Sequence, residues 1–194
     1  METQAARAVL DSVLQTLLLV ASASMFADLS VGTDVPISSA TTFALGLSVL
    51  FQTGFAESAD LRSAIATFNL LMLVTYWSVV LLLGHSAVQG KEAPLLFDDI
   101  MVHLVVPAEV VRRSVVARDH AASAGAAFLV GFEAAYSLLF LSFGRETYPF
   151  IAEMTLFGQI LFVVALCSAG GVLHLLLGAV SRCERPPGSE APSS

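Results

Sequence analysis

From Ser63 to Gly84 no side chain carries a formal charge, and between residues 150 and 180 only Glu153 does. An α-helix satisfies its own backbone hydrogen bonds, and about 20 apolar residues in that form span a hydrocarbon core about 30 Å thick. The rest of the chain is of the same character. Of its 194 residues, 56% are hydrophobic and 13% are charged, and the mean hydropathy is +0.81. A water-soluble domain of this length keeps too much of its area in water to hide so much apolar surface. The expected fold class is an all-α integral membrane protein, a bundle of about six transmembrane helices with both termini cytoplasmic. Residues 1–181 are read as one transmembrane domain and residues 182–194, rich in Pro, Gly and Ser, as a disordered cytoplasmic tail.

The first apolar run covers residues 8–27 and ends in Ala21-Ser22-Ala23-Ser24, which is similar to a signal-peptidase site. A cleaved leader over residues 1–27 is therefore an alternative, weighed against the polar interruptions Asp11 and Gln15 and the acidic Glu2. The second run, 38–55, is the weakest of the set. Its serines and threonines suit bonding to the carbonyls of the preceding turn and lining a helix interface. The third run, 63–84, contains the aromatic pair Tyr76-Trp77. A polar loop from His85 to Pro94 precedes a short helix that starts at Asp98-Asp99, ends at Arg112-Arg113 and holds His103, Pro107 and Glu109 between them. Residues 121–143 and 150–180 supply two further crossings. With six crossings, Arg7, Arg62, Arg112, Arg113, Arg118, Arg182 and Arg185 fall on one side and only Lys91 and Arg145 on the other. That asymmetry is the positive-inside pattern of a chain with both ends in the cytoplasm.

Several function classes are excluded or disfavoured. A net charge of −7 argues against nucleic acid as a partner. The two cysteines, Cys167 and Cys183, form neither a CxxC motif nor a Cys/His cluster, and no metal or other cofactor is expected. No HExxH, P-loop or dinucleotide fingerprint occurs. Gly84-His85-Ser86-Ala87-Val88 begins like a nucleophile elbow but lacks the closing glycine. A transporter is disfavoured because no pair of broken helices recurs in two halves.

The helix directions give the polar residues a common level. The second and fourth helices both run inward from the non-cytoplasmic face, starting near Ser38 and Asp98. Thr42 and His103 then each lie about 6–8 Å below that face, at 1.5 Å per residue. Pro107 lacks an amide and frees the carbonyl of His103, four residues earlier. Asp99 sits one turn before His103, where it can orient the imidazole. Ionisable groups inside a membrane are costly enough to imply function, although bonding between helices is also a use for His103. Thr41 and Thr42, taken alone, read more readily as packing residues. Glu109 is expected to reach the cytoplasmic surface. Glu133, midway along the fifth helix, has to pair or stay protonated, and His174 lies too near the cytoplasmic end to join His103.

Taken together, Tyr76-Trp77, the polar loop, His103-Leu104-Val105-Val106-Pro107, then Tyr136, Gly144 and Tyr148-Pro149-Phe150, resemble the androgen-induced protein family over roughly residues 62–180. Its members are six-helix membrane proteins that hydrolyse fatty acid esters of hydroxy fatty acids with a threonine nucleophile and a histidine partner. The resemblance implies that His103 is that histidine and that the threonine is Thr42 or its neighbour Thr41. If that activity holds, Asp99, one turn before His103, is the residue expected to hold the imidazole. Membrane lipids, a lipid-ester substrate and other membrane proteins are the expected partners. The rival expectation is a non-catalytic subunit, assembly factor or regulator of a larger membrane complex. The small residues Ala121-Ala122-Ser123-Ala124-Gly125-Ala126-Ala127 suit close helix contact of that kind.

Overall fold

The computed structural model describes residues 12–13, 15–24, 40–84, 99–117 and 149–183. The expected fifth crossing with Glu133 and Tyr136, the loops carrying Lys91 and Arg145, Tyr148, and the tail from residue 184 lie outside them. Every regular element among the described residues is helical. In chain order these are α1 (Gln15–Ser24), α2 (Ala40–Gln52) and α3 (Ala59–Leu83). A π-helical turn at Met101–Val105 then leads into α4 (Val106–Ala117), and α5 (Pro149–Ala152) precedes α6 (Leu156–Cys183). Two of the helices, over Ala59–Leu83 and Leu156–Arg182, are long and apolar enough to cross a membrane.

Helix α3 begins four residues before its expected start because Ser58 caps it. The Ser58 hydroxyl accepts from the amide of Leu61 at 3.1 Å, satisfying one of the amides that a helix start leaves without a partner. Arg62 closes the same corner by donating to the carbonyls of Ala56 and Glu57 at 3.0 and 2.8 Å. Gly54, at φ 80°, ends the α2 side of the connection in a conformation that L side chains rarely adopt. The short link folds α2 and α3 into a hairpin. At the far end of α3, Gly84 reaches φ 87° and its amide donates to the carbonyl of Val80 at 3.0 Å.

Helix α3 is the centre of the bundle, in contact with α2, α4 and α6. Small residues let these neighbours approach. Ala64 and Ala66 are almost fully buried, and Ile65, Ala66 and Phe68 meet Ala44 and Leu47 of α2, Val110 of α4 and Leu177 of α6 in one apolar cluster. Phe43 packs edge-on against Phe68 with ring centroids 5.7 Å apart. A second cluster joins Tyr76 to Ile151, with Phe150 and Phe162 packed against it.

Polar side chains are concentrated between the helices. Ser22, Ser48, Ser63, Thr67, Asn69 and Ser114 are all buried. The second run does use its polar groups at an interface: Ser48 Oγ lies 2.8 Å from the carbonyl of Ala44 and 2.9 Å from Oδ1 of Asn69 on α3. Gln52 donates to Ser22 Oγ at 3.2 Å, tying α2 to α1, while Ser22 donates to the carbonyl of Leu18. The outward positions of α6, among them Phe157, Leu161, Val164, Val172 and Leu175, are large, apolar and exposed.

The expected crossing at 150–180 is interrupted. Helix α5 opens at Pro149, which tolerates a first helical position because that amide has no intrahelical partner. The helix stops at Ala152, and the chain turns through Glu153 and Met154 before α6 starts. Thr155 accepts from the amide of Gly158 at 3.2 Å and so caps the new helix. The buried Gln159 reaches back to the carbonyls of Ile151 and Met154 at 3.1 and 3.5 Å. At the other end α6 runs to Cys183, past residue 181, as Arg182 Nε donates to the carbonyl of Gly178 at 3.0 Å.

Ala66 shows no exposed surface, so Ala66→Leu has no space for its added atoms and is expected to lower stability by about 1–3 kcal/mol. Leu82→Ala, at a site 82% exposed, is expected to stay within about 0.5 kcal/mol. Reversible unfolding in mixed detergent and SDS micelles measures both.

Candidate functional site

The π-helical turn sets the position of His103. The amide of Val106 bonds to the carbonyl of Met101, five residues back rather than four. The next residue, Pro107, has no amide to offer the carbonyl of His103. That carbonyl instead accepts from the indole Nε1 of Trp77 on α3 at 3.2 Å. Single π turns inside α-helices are frequent at functional sites, and this one carries the histidine itself.

The imidazole is buried, with 5% of the residue exposed. Its Nε2 lies 3.0 Å from the hydroxyl oxygen of Thr41, in the first turn of α2. Its Nδ1 faces Oδ1 of Asp99 at 3.6 Å, and Asp99 is buried as well. Tyr76 covers one face of the ring, stacked at 3.6 Å between centroids with the planes 4° apart. The Trp77 ring packs edge-on against Tyr76 at 5.5 Å. With Nδ1 protonated toward the Asp99 side, Nε2 would accept from the Thr41 hydroxyl; with Nε2 protonated, it would donate to the Thr41 oxygen.

A second threonine–histidine pair joins α3 to α6. Thr67 Oγ1 lies 3.0 Å from Nδ1 of His174, both residues being buried. The Thr67 proton is directed to the carbonyl of Ser63 at 2.9 Å. Its oxygen therefore receives the Nδ1 proton of His174, and the threonine serves as a helix-to-helix acceptor. His174 stands apart from His103, paired to Thr67 on α3.

The structure thus brings Thr41, Asp99 and His103 together. Thr42 lies in the same turn of α2, and its side chain is outside the described set. Glu109 is buried rather than extended to the surface: Oε1 and Oε2 take Nη2 and Nε of Arg112 at 2.8 and 2.7 Å, and Oε1 also takes Nε of Arg113 at 2.8 Å. This knot fixes one face of α4 beyond the site. Sequence reasoning noted Tyr76 and Trp77 only as part of a pattern. Their level on the third helix, near the end where His103 enters the fourth, was the available sign of their place at the site. No group of three His, Cys, Asp or Glu side chains converges to hold a metal among the described residues.

No protein-family model, curated protein or solved structure matches this chain.

Thr67→Val removes the acceptor of the buried His174 and is expected to cost about 1–3 kcal/mol while leaving the His103 site unchanged. SDS unfolding midpoints check the first effect, and the histidine ring ¹⁵N shifts check the second.

Proposed function

We propose that this chain is a multi-pass membrane hydrolase acting on a lipid ester, as its resemblance to the androgen-induced protein family implies. Thr41 is the nucleophile, His103 the general base and Asp99 the group that orients the imidazole. The observation that carries this assignment is the 3.0 Å contact between Thr41 Oγ1 and His103 Nε2, with a buried carboxylate on the far side of the ring. The sequence left the nucleophile open between Thr41 and Thr42. Thr41 is taken as the nucleophile because its hydroxyl lies beside Nε2.

A threonine hydroxyl is a weak nucleophile at neutral pH and needs a base at hydrogen-bond distance. His103 takes its proton as the oxygen bonds to the ester carbonyl carbon. As the tetrahedral intermediate collapses, the bond to the leaving alcohol breaks and His103 returns the proton to that alcohol. Water, activated by the same imidazole, then cleaves the acyl-threonine, releases the fatty acid and restores the hydroxyl. The membrane setting is supported by α3, by α6 with its apolar outer face, and by the asymmetry of the basic residues across the six sequence runs. Acyl chains reach such a site from the bilayer.

One observation favours a non-catalytic membrane subunit instead. Thr67 and His174 join α3 to α6 through a buried hydrogen bond, and in this reading Thr41–His103 is its counterpart.

Labelling of the detergent-solubilised full chain with a fluorophosphonate probe separates the two. Covalent labelling at Thr41 is expected, falling by about 10²-fold or more in Thr41→Ala and in His103→Ala, with Thr67→Val and Thr42→Ala retaining it. A folded wild-type chain that takes no label supports the non-catalytic subunit.

A further inference from the structure

We infer that Trp77 and Pro107 act as one unit that positions His103, with the indole of Trp77 standing in for the backbone amide that Pro107 lacks. As a role in catalysis this rests on the hydrolase proposed above; the structural pairing does not. In an uninterrupted α-helix the amide of residue 107 would donate to the carbonyl of His103. Proline withdraws that donor, and a buried carbonyl without a partner is costly. Trp77 Nε1 supplies the missing bond from the neighbouring helix at 3.2 Å. Without Pro107 the carbonyl has a donor within its own helix. Without Trp77 the indole bond to that carbonyl is lost.

The position of this bond matters more than its strength. It anchors the backbone of the residue whose side chain meets Thr41, in the π turn where the amide of Val106 reaches Met101. The adjacent Tyr76 lies flat on the imidazole at the same time. Two consecutive residues of α3 therefore hold His103 at two points: Trp77 at its carbonyl and Tyr76 at its ring. Trp77 is a positioning residue: its bond is to the backbone carbonyl of His103 and acts on the imidazole through that backbone.

The pairing makes a reciprocal prediction. Pro107→Ala restores an amide that competes for the His103 carbonyl, so the indole loses its acceptor and the π turn relaxes toward α geometry. Trp77→Phe keeps an aromatic ring but removes the donor, and it matters only while Pro107 is present.

Trp77 is the only tryptophan in the chain, so its indole N–H gives a single resonance in a ¹⁵N–¹H spectrum of the full chain in micelles. In wild type that proton is expected to be shifted downfield and slow to exchange with deuterium. In Pro107→Ala it is expected to move upfield and exchange faster. Fluorophosphonate labelling of Thr41 is expected to fall about tenfold in Trp77→Phe, the scale of one lost hydrogen bond. In the Pro107→Ala background the same change is expected to alter labelling less than about twofold, because additivity fails for residues sharing one partner. The ring ¹⁵N shifts of His103 follow the same pattern and do not depend on catalysis.

An indole resonance unchanged by Pro107→Ala overturns the proposal, as does an equal loss in the two backgrounds for Trp77→Phe. If the wild type takes no label yet the indole and histidine shifts remain coupled to Pro107, the hydrolase assignment fails and the structural pairing stands. Strong labelling that depends on Thr41 and His103 but not on the Trp77–Pro107 coupling leaves the hydrolase and removes this proposal.

Discussion

Helix α3 has to satisfy polar groups on several sides at once, and the bundle is arranged around that requirement. Asn69 meets Ser48 of α2, Thr67 meets His174 of α6, and Trp77 meets the carbonyl of His103 ahead of α4. Each bond pins one neighbour at one height. Dispersion and close approach over Ala64 and Ala66 hold the helices together, but apolar packing alone tolerates sliding along the axis. Hydrogen bonds at three levels do not, because a shift of one turn would leave a buried donor or acceptor without its partner. The large apolar side chains exposed along α6 are the complement of this polar interior.

The site inherits its geometry from that arrangement. Thr41 reaches His103 because α2 is registered on α3 through Ser48 and Asn69, while His103 is registered on α3 through Trp77 and Tyr76. Neither partner of the 3.0 Å contact is held by the other alone. The two threonine–histidine pairs use different ring nitrogens: Thr41 lies beside Nε2 of His103 and Thr67 beside Nδ1 of His174.

Much of this was legible in the sequence, and the limits have physical causes. Uncharged runs announced α3 and α6, since a stretch without charge over that length leaves few other options. Pro107 announced a released carbonyl because the missing amide is a covalent fact. What took that carbonyl was not legible, since Trp77 lies on another helix and tertiary partners leave no periodic trace. The π turn was hidden for the same reason. The break after Ala152 was missed because neither Met154 nor Thr155 is a helix breaker, and the stop depends on the Thr155 cap and on Gln159 reaching back. That Thr41 lies beside His103 was beyond sequence, because it depends on how two helices pack and on the direction a side chain faces.

The length of α6 has a consequence of its own. Its 28 residues measure about 42 Å at 1.5 Å per residue, well beyond a hydrocarbon core about 30 Å thick. In a bilayer such a helix tilts, extends past the headgroups, or does both. The tilt is shared with α3 through Thr67 and His174, so membrane thickness would set the inclination of the bundle as a body. A thicker bilayer would stand the helices more upright and carry Thr41 and His103 to a different depth, making acyl-chain length in the surrounding lipid a variable that reaches the site without touching it.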